Sequence, residues 1–103
     1  MERVCVTVSD YYVDENREFV EYLLRHLDGV TIIATGLYES DDTDVKESLY
    51  AVEWDDEASA AFHFLADTDM LDIVNFSNGR DKRIPAALEL FGVNSVEELI
   101  AEN

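Results

Sequence analysis

The sequence predicts a single small α+β domain over residues 1–103. Its sheet is mostly antiparallel, with one long amphipathic helix packed on it and short C-terminal helices. Three observations lead there. Apolar residues make up 48% of the chain, enough to bury a core without disulfide or metal support despite the charge. Alternating apolar residues mark strands at 2–8 and 48–54, and a β-branched run marks another at 30–38. Between the first two lies a stripe at helical spacing: Phe19, Val20, Leu23, Leu24 and Leu27.

The first strand turns Val4, Val6 and Val8 to a buried face and Arg3, Cys5 and Thr7 to a partly solvated one. Cys5 then reads as a half-buried small hydrophobe, because only Arg3 stands near it in sequence to lower a thiol pKa. Asp14 suits a helix N-cap, and Gly29 stops that helix near Asp28. The helix joins two strands, so the chain opens as β-α-β. Residues 30–38 and 48–54 form a hairpin around an acidic loop.

Residues 55–67 allow two readings. Ala58, Ala61, Phe62 and Leu65 fit a helix face behind an Asp55 cap. Ala60, Phe62 and Phe64 alternate as in a strand, and the ring run Phe62-His63-Phe64 tips the balance to a strand over 58–66. Residues 70–76 suit a strand or a short helix, followed by a Ser77-Asn78-Gly79 turn. Pro85 opens a helix that Gly92 ends. Ser95 and Glu98 have capping-box spacing for a last helix that turns Val96, Leu99 and Ile100 inward.

Charge is the strongest global feature. Twenty-four acids against seven bases give a net −17. Residues 39–57 hold nine acids and one base, Lys46, which is about half the excess. Asp14, Glu18 and Glu21 fall at i, i+4 and i+7 and share one helix face. Such a field repels nucleic acid and anionic lipid and attracts basic surfaces. Plainer readings compete: solubility, acids placed near a helix N-terminus, or adaptation to a salt-loving host. A lone cysteine forms no internal disulfide. With no signal-peptide pattern and no apolar run near ~18 residues, it points to a cytoplasmic location and no membrane association.

The acids do not form a metal motif. Calcium-loop registers started at Asp42 or Asp67 run into Lys46 or Leu71 and lack the glycine. One Cys and two distant His are poor zinc ligands. Neither His26 nor His63 sits in a nucleophile–base pattern, and no glycine-rich phosphate loop occurs. The expectation is a non-enzymatic protein without cofactor or metal.

Two resemblances add to this reading. Val4-Cys5-Val6, followed by residues 13–20 (VDENREFV), resembles the opening of response-regulator receiver domains. Met70-Leu71-Asp72-Ile73-Val74 is similar to the receiver strand that ends in the phosphorylated aspartate. That resemblance implies Asp14 and Glu15 as a magnesium-holding pair and Asp72 as phosphoacceptor. The chain departs from the family in its four extra residues, 9–12, and in the short sequence after Asp72.

The second resemblance follows from the acidic field. On a strand, Glu53 and Asp55 stand ~6.6 Å apart on one face, as do Asp42 and Asp44 if their loop is extended. Carboxylates so spaced imitate the phosphate rows that DNA-binding proteins grip. In size, acidity and patterning the chain resembles the DNA-mimic inhibitors that phages and mobile elements direct against CRISPR effectors and restriction enzymes. The expected partner is a basic nucleic-acid-binding protein or complex, with no direct nucleic-acid binding. The expected partner-binding residues are Glu39, Asp41, Asp42, Asp44, Glu47, Glu53, Asp55, Asp56 and Glu57, extended by Asp14, Glu18 and Glu21 and anchored by Trp54. An immunity protein or antitoxin over a basic toxin site is the alternative on the same electrostatics. A degenerate receiver-like domain is the alternative from another class.

Overall fold

The computed structural model describes residues 1–9, 14–40 and 46–101, with Asp14, Glu15 and Ala101 described by backbone alone. The elements are β1 (Glu2–Ser9), α1 (Asp14–His26), β2 (Val30–Glu39), β3 (Lys46–Trp54), α2 (Asp56–Asp67), β4 (Asp72–Ile73), α3 (Ile84–Phe91) and α4 (Val96–Ala101). The sheet order is β2-β3-β1-β4, and every neighbouring pair is antiparallel. β1 and β2 therefore run parallel with β3 between them, and β3 and β4 run parallel with β1 between them. Two split β-α-β units interlock, which is ferredoxin-like connectivity. Receiver domains need a parallel doubly wound sheet, so the likeness to them stops at the local sequence.

The sheet, the β2–β3 hairpin and the β-α-β opening match the sequence reading. Three features differ. First, residues 56–67 are helix, not strand. Asp55 caps it by accepting from the Ala58 backbone N–H at 2.9 Å, and Phe62 stacks on Trp54 with centroids 5.0 Å apart. Alanine favours the helix, and this one tertiary contact satisfies the aromatic ring that had suggested a strand. Second, no single helix dominates: α1 has 13 residues and α2 has 12. Third, β1 is buried on both faces.

The two faces carry separate cores. Under α1 and α2 lie Val4, Val6, Val8, Val20, Leu24, Val52, Trp54 and Phe62. On the opposite face Cys5, Leu49 and Val74 meet Ala87 of α3, with Leu90 and Phe91 at the rim. Cys5 is thus fully buried, and burial pushes its thiol up to about 12, away from nucleophilic use. Phe19 and Ile100, read from the sequence as inward-facing, are 45% and 62% exposed.

α3 closes as expected, with Pro85 in its first turn and Gly92 left-handed at φ 72°. At α4, Ser95 Oγ accepts from the Glu98 N–H at 3.1 Å, while the Glu98 carboxylate accepts from the Asn94 N–H at 2.9 Å. β2 carries a bulge between Ile32 and Ala34. Before it, Val30 and Ile32 pack on the α1/α2 core. After it, Gly36 lies over Leu90 of α3 and Tyr38 joins the α3 core. No helix among the described residues is long and apolar enough to cross a membrane.

Gly29 makes the turn between α1 and β2 with φ 86°. A β-carbon there would run into the Asp55 carboxylate that caps α2. Gly29→Ala should therefore cost about 2 kcal/mol, combining left-handed strain with a disturbed cap. Urea unfolding measures this, with Gly79→Ala, where nothing lies within 4 Å of the added carbon, as a near-neutral control.

Candidate functional site

Residues 39–57 are contiguous in sequence but not in space. β3 is an inner strand whose middle, Leu49–Val52, is buried on both faces. Its acids therefore separate to two ends of the sheet, roughly 27 Å apart over the nine-residue strand.

One end carries Glu39 and Glu47. Asp41, Asp42 and Asp44 lie outside the described residues. The fold adds acids from elsewhere. Asp72 pairs with Thr7 across the β1–β4 ladder, and both Asp72 and Asp69 border the depression beside Glu47. Sequence reasoning missed Asp69, Asp72 and Asp81 as members of this end, because the β1–β4 pairing brings the first two, and Arg83 the third, to Glu47.

Arg83 organises this end. At 14% side-chain exposure, its guanidinium grips both Asp81 oxygens, Nε to Oδ1 at 3.0 Å and Nη2 to Oδ2 at 2.9 Å. Nη1 reaches Glu47 at 3.1 Å, Asp72 at 2.8 Å and the Thr7 hydroxyl at 3.0 Å. Planar, bidentate recognition of this kind is what arginine supplies and lysine does not. The Asp81 carboxylate also accepts from the backbone N–H groups of Asn75 and Arg83. The Arg83 hydrogen bonds, with those backbone donors, hold it down at about 2, against the burial that works the other way. The same three carboxylates raise the Arg83 pKa still further, again against burial. Arg83 thus serves the protein's own acids here. Glu47 is consumed internally and contributes little outward field.

The other end carries Glu53, Asp55, Asp56 and Glu57. Glu53 is bound to Arg3 at 3.0 Å and Asp55 caps α2. Asp56 and Glu57 occupy the first turn of α2 and are exposed. Acids there also complement the helix N-terminus. Glu39 is exposed, with Lys46 at 3.6 Å.

On α1, Glu18 is exposed, and the side chain of Asp14 is outside the described set. Glu21 turns to the sheet and accepts from the Tyr50 hydroxyl. Burial and that neighbouring carboxylate raise the Tyr50 phenol above its ordinary value. Trp54 is fully buried, and its indole N–H lies 3.3 Å from Glu2. It is a core residue rather than the interface anchor the sequence suggested. Among the described residues, aromatics that do reach the surface include Phe19 and Tyr22 on α1 and Phe64 on α2. His26 lies against Tyr22 with the rings tilted by 38°, and His63 contacts the Ser59 carbonyl at 2.8 Å.

Among the described residues no three His, Cys, Asp or Glu side chains are grouped to hold a metal. No family model matches this chain, nor does any curated protein or solved structure at a significant level.

Proposed function

We propose that the chain is a non-enzymatic acidic inhibitor that binds a basic nucleic-acid-binding protein through its negative field. The observation that carries this is a net charge of −17 on a body of only 36 × 35 × 21 Å. A field of that sign is drawn to the Lys- and Arg-lined surfaces that grip nucleic-acid phosphates. The spatial arrangement supports the reading in a revised form. The acids this reading uses are those the fold leaves exposed, Glu39 at one end, Asp56 and Glu57 at the other and Glu18 on α1, together with Asp41, Asp42 and Asp44 of the acidic sequence.

The test uses a protein captured from the native host on the immobilised chain and eluted along a salt gradient. Its binding to a labelled DNA duplex is then followed by fluorescence anisotropy while the chain is added. Stoichiometric displacement of the duplex is expected. Reversing Asp41, Asp42 and Asp44 to Lys should weaken the complex at least tenfold with the melting curve unchanged. Affinity should fall as salt rises, since exposed charges are screened over ~10 Å at 0.1 M. Unchanged affinity in the triple variant would remove that segment from the mechanism. A complex that tolerates saturating duplex would instead place the chain among neutralisers of a basic toxin.

A further inference from the structure

The two edges of the sheet are finished differently. β4 is two residues long, too short to template another strand. β2 at the other edge has ten residues, and nothing among the described residues pairs with its outer side. Residues 30–38 contain no charge and no proline, in a chain where charged residues make up 30%. Charge, proline and brevity are the usual devices that blunt an edge. Residues 30–38 carry a bulge instead, and it leaves Ile33, Thr35 and Leu37 exposed at alternate positions, Leu37 at 70%.

We propose that β2 takes up an extended segment of a protein partner as a fifth strand, one with β-branched side chains in its middle and Lys or Arg at its ends. Main-chain hydrogen bonds supply affinity in this mode and alternate side chains supply selection. The ends of the edge select the charge. At one end stand Asp28 and Asp55, both exposed, with the Asp55 N–H donating to the Gly29 carbonyl at 3.0 Å. At the other stands Glu39, exposed at the last position of the strand. Glu89 of α3 borders the depression beside Leu37. A second copy of the chain fits poorly. Antiparallel self-pairing sets the Glu39 end of one copy against the Asp28–Asp55 end of the other, and opposed like charges destabilise a strand pair. The basic ends rest on the reading of a basic partner; the added strand does not.

The probe is a ten-residue peptide of alternating Thr and Val or Ile, flanked by two Lys at each end. Saturation should slow amide exchange in β2 at least tenfold. A proline at the peptide's centre should abolish this, and Leu37→Lys, at an exposed position, should weaken binding at least tenfold. Absence of β2 protection, or indifference to Leu37→Lys, overturns the strand addition, whatever the Asp41/Asp42/Asp44 reversal shows about the acidic surface. Equal binding of a Glu-flanked peptide overturns the basic-ended partner. Sedimentation of the free chain as a dimer that Leu37→Lys dissociates overturns it in favour of a second copy.

Discussion

Arg83→Ala should lower stability by about 3 kcal/mol at neutral pH, measured by chemical unfolding. The guanidinium engages Asp81, Glu47, Asp72 and Thr7 together. Removing it leaves three carboxylates facing one another without the guanidinium that joins them. Breaking a buried pair by deleting one partner costs ~3–5 kcal/mol, and the lower end applies because Asp72 is 65% exposed. Arg83→Lys keeps the charge but loses the two-pronged grip on Asp81, so it should recover only part of the loss. The pH signature is specific. Asp81 titrates at about 2 in the folded chain, below its ordinary 3.8. A depressed carboxylate stabilises the fold fully above the ordinary value, and that contribution disappears as pH falls from about 4 to about 2. Parent stability should decline across this window. Arg83→Ala, already without the contribution, should decline less. Equal slopes in the two proteins would separate Asp81 from Arg83.

Trp54→Ala should cost about 4 kcal/mol, the usual range for truncating a large buried aromatic. The indole is fully enclosed and stacks on Phe62 with the rings 11° from coplanar. A total stability of ~5–15 kcal/mol leaves little after that loss, so thermal melting should shift steeply downward. Trp54→Phe retains the ring contact and should cost far less. Because Trp54 faces inward, loss of partner binding in Trp54→Ala should track loss of fold. Binding lost from a variant that melts like the parent would restore Trp54 to the interface.

The parts of the fold legible in the sequence are those fixed by local periodicity. Val4, Val6 and Val8 share one face of a strand, and Leu23, Leu24 and Leu27 sit on a helix stripe packed on the first core. Gly29, Gly92 and Ser95 end or cap the elements expected of them. The helix over 56–67 was ambiguous because small alanines fit both periods and Phe62 serves either. The second core was hidden because Cys5 and Thr7 look like a solvated face until α3 covers Cys5 and Arg83 reaches the Thr7 hydroxyl. The candidate site was legible as charge and illegible as geometry. Nothing local to Glu47 announces Arg83, 36 residues on, and a contiguous acidic stretch gives no sign that a buried strand divides it.

The strand order also sets the order in which the protein can assemble. β1 is made first, yet its neighbours are β3 and β4: Val4 faces Val52, and Val6 faces both Tyr50 and Ile73. Only β2 and β3 are joined locally, so the hairpin can close while the first strand waits for the chain's second half. Such long-range pairing slows folding and lengthens the life of unpaired apolar segments. During synthesis the valine-rich β1 is therefore the strand of this sheet that stays exposed longest, and Cys5 is open to alkylation until α3 covers its face.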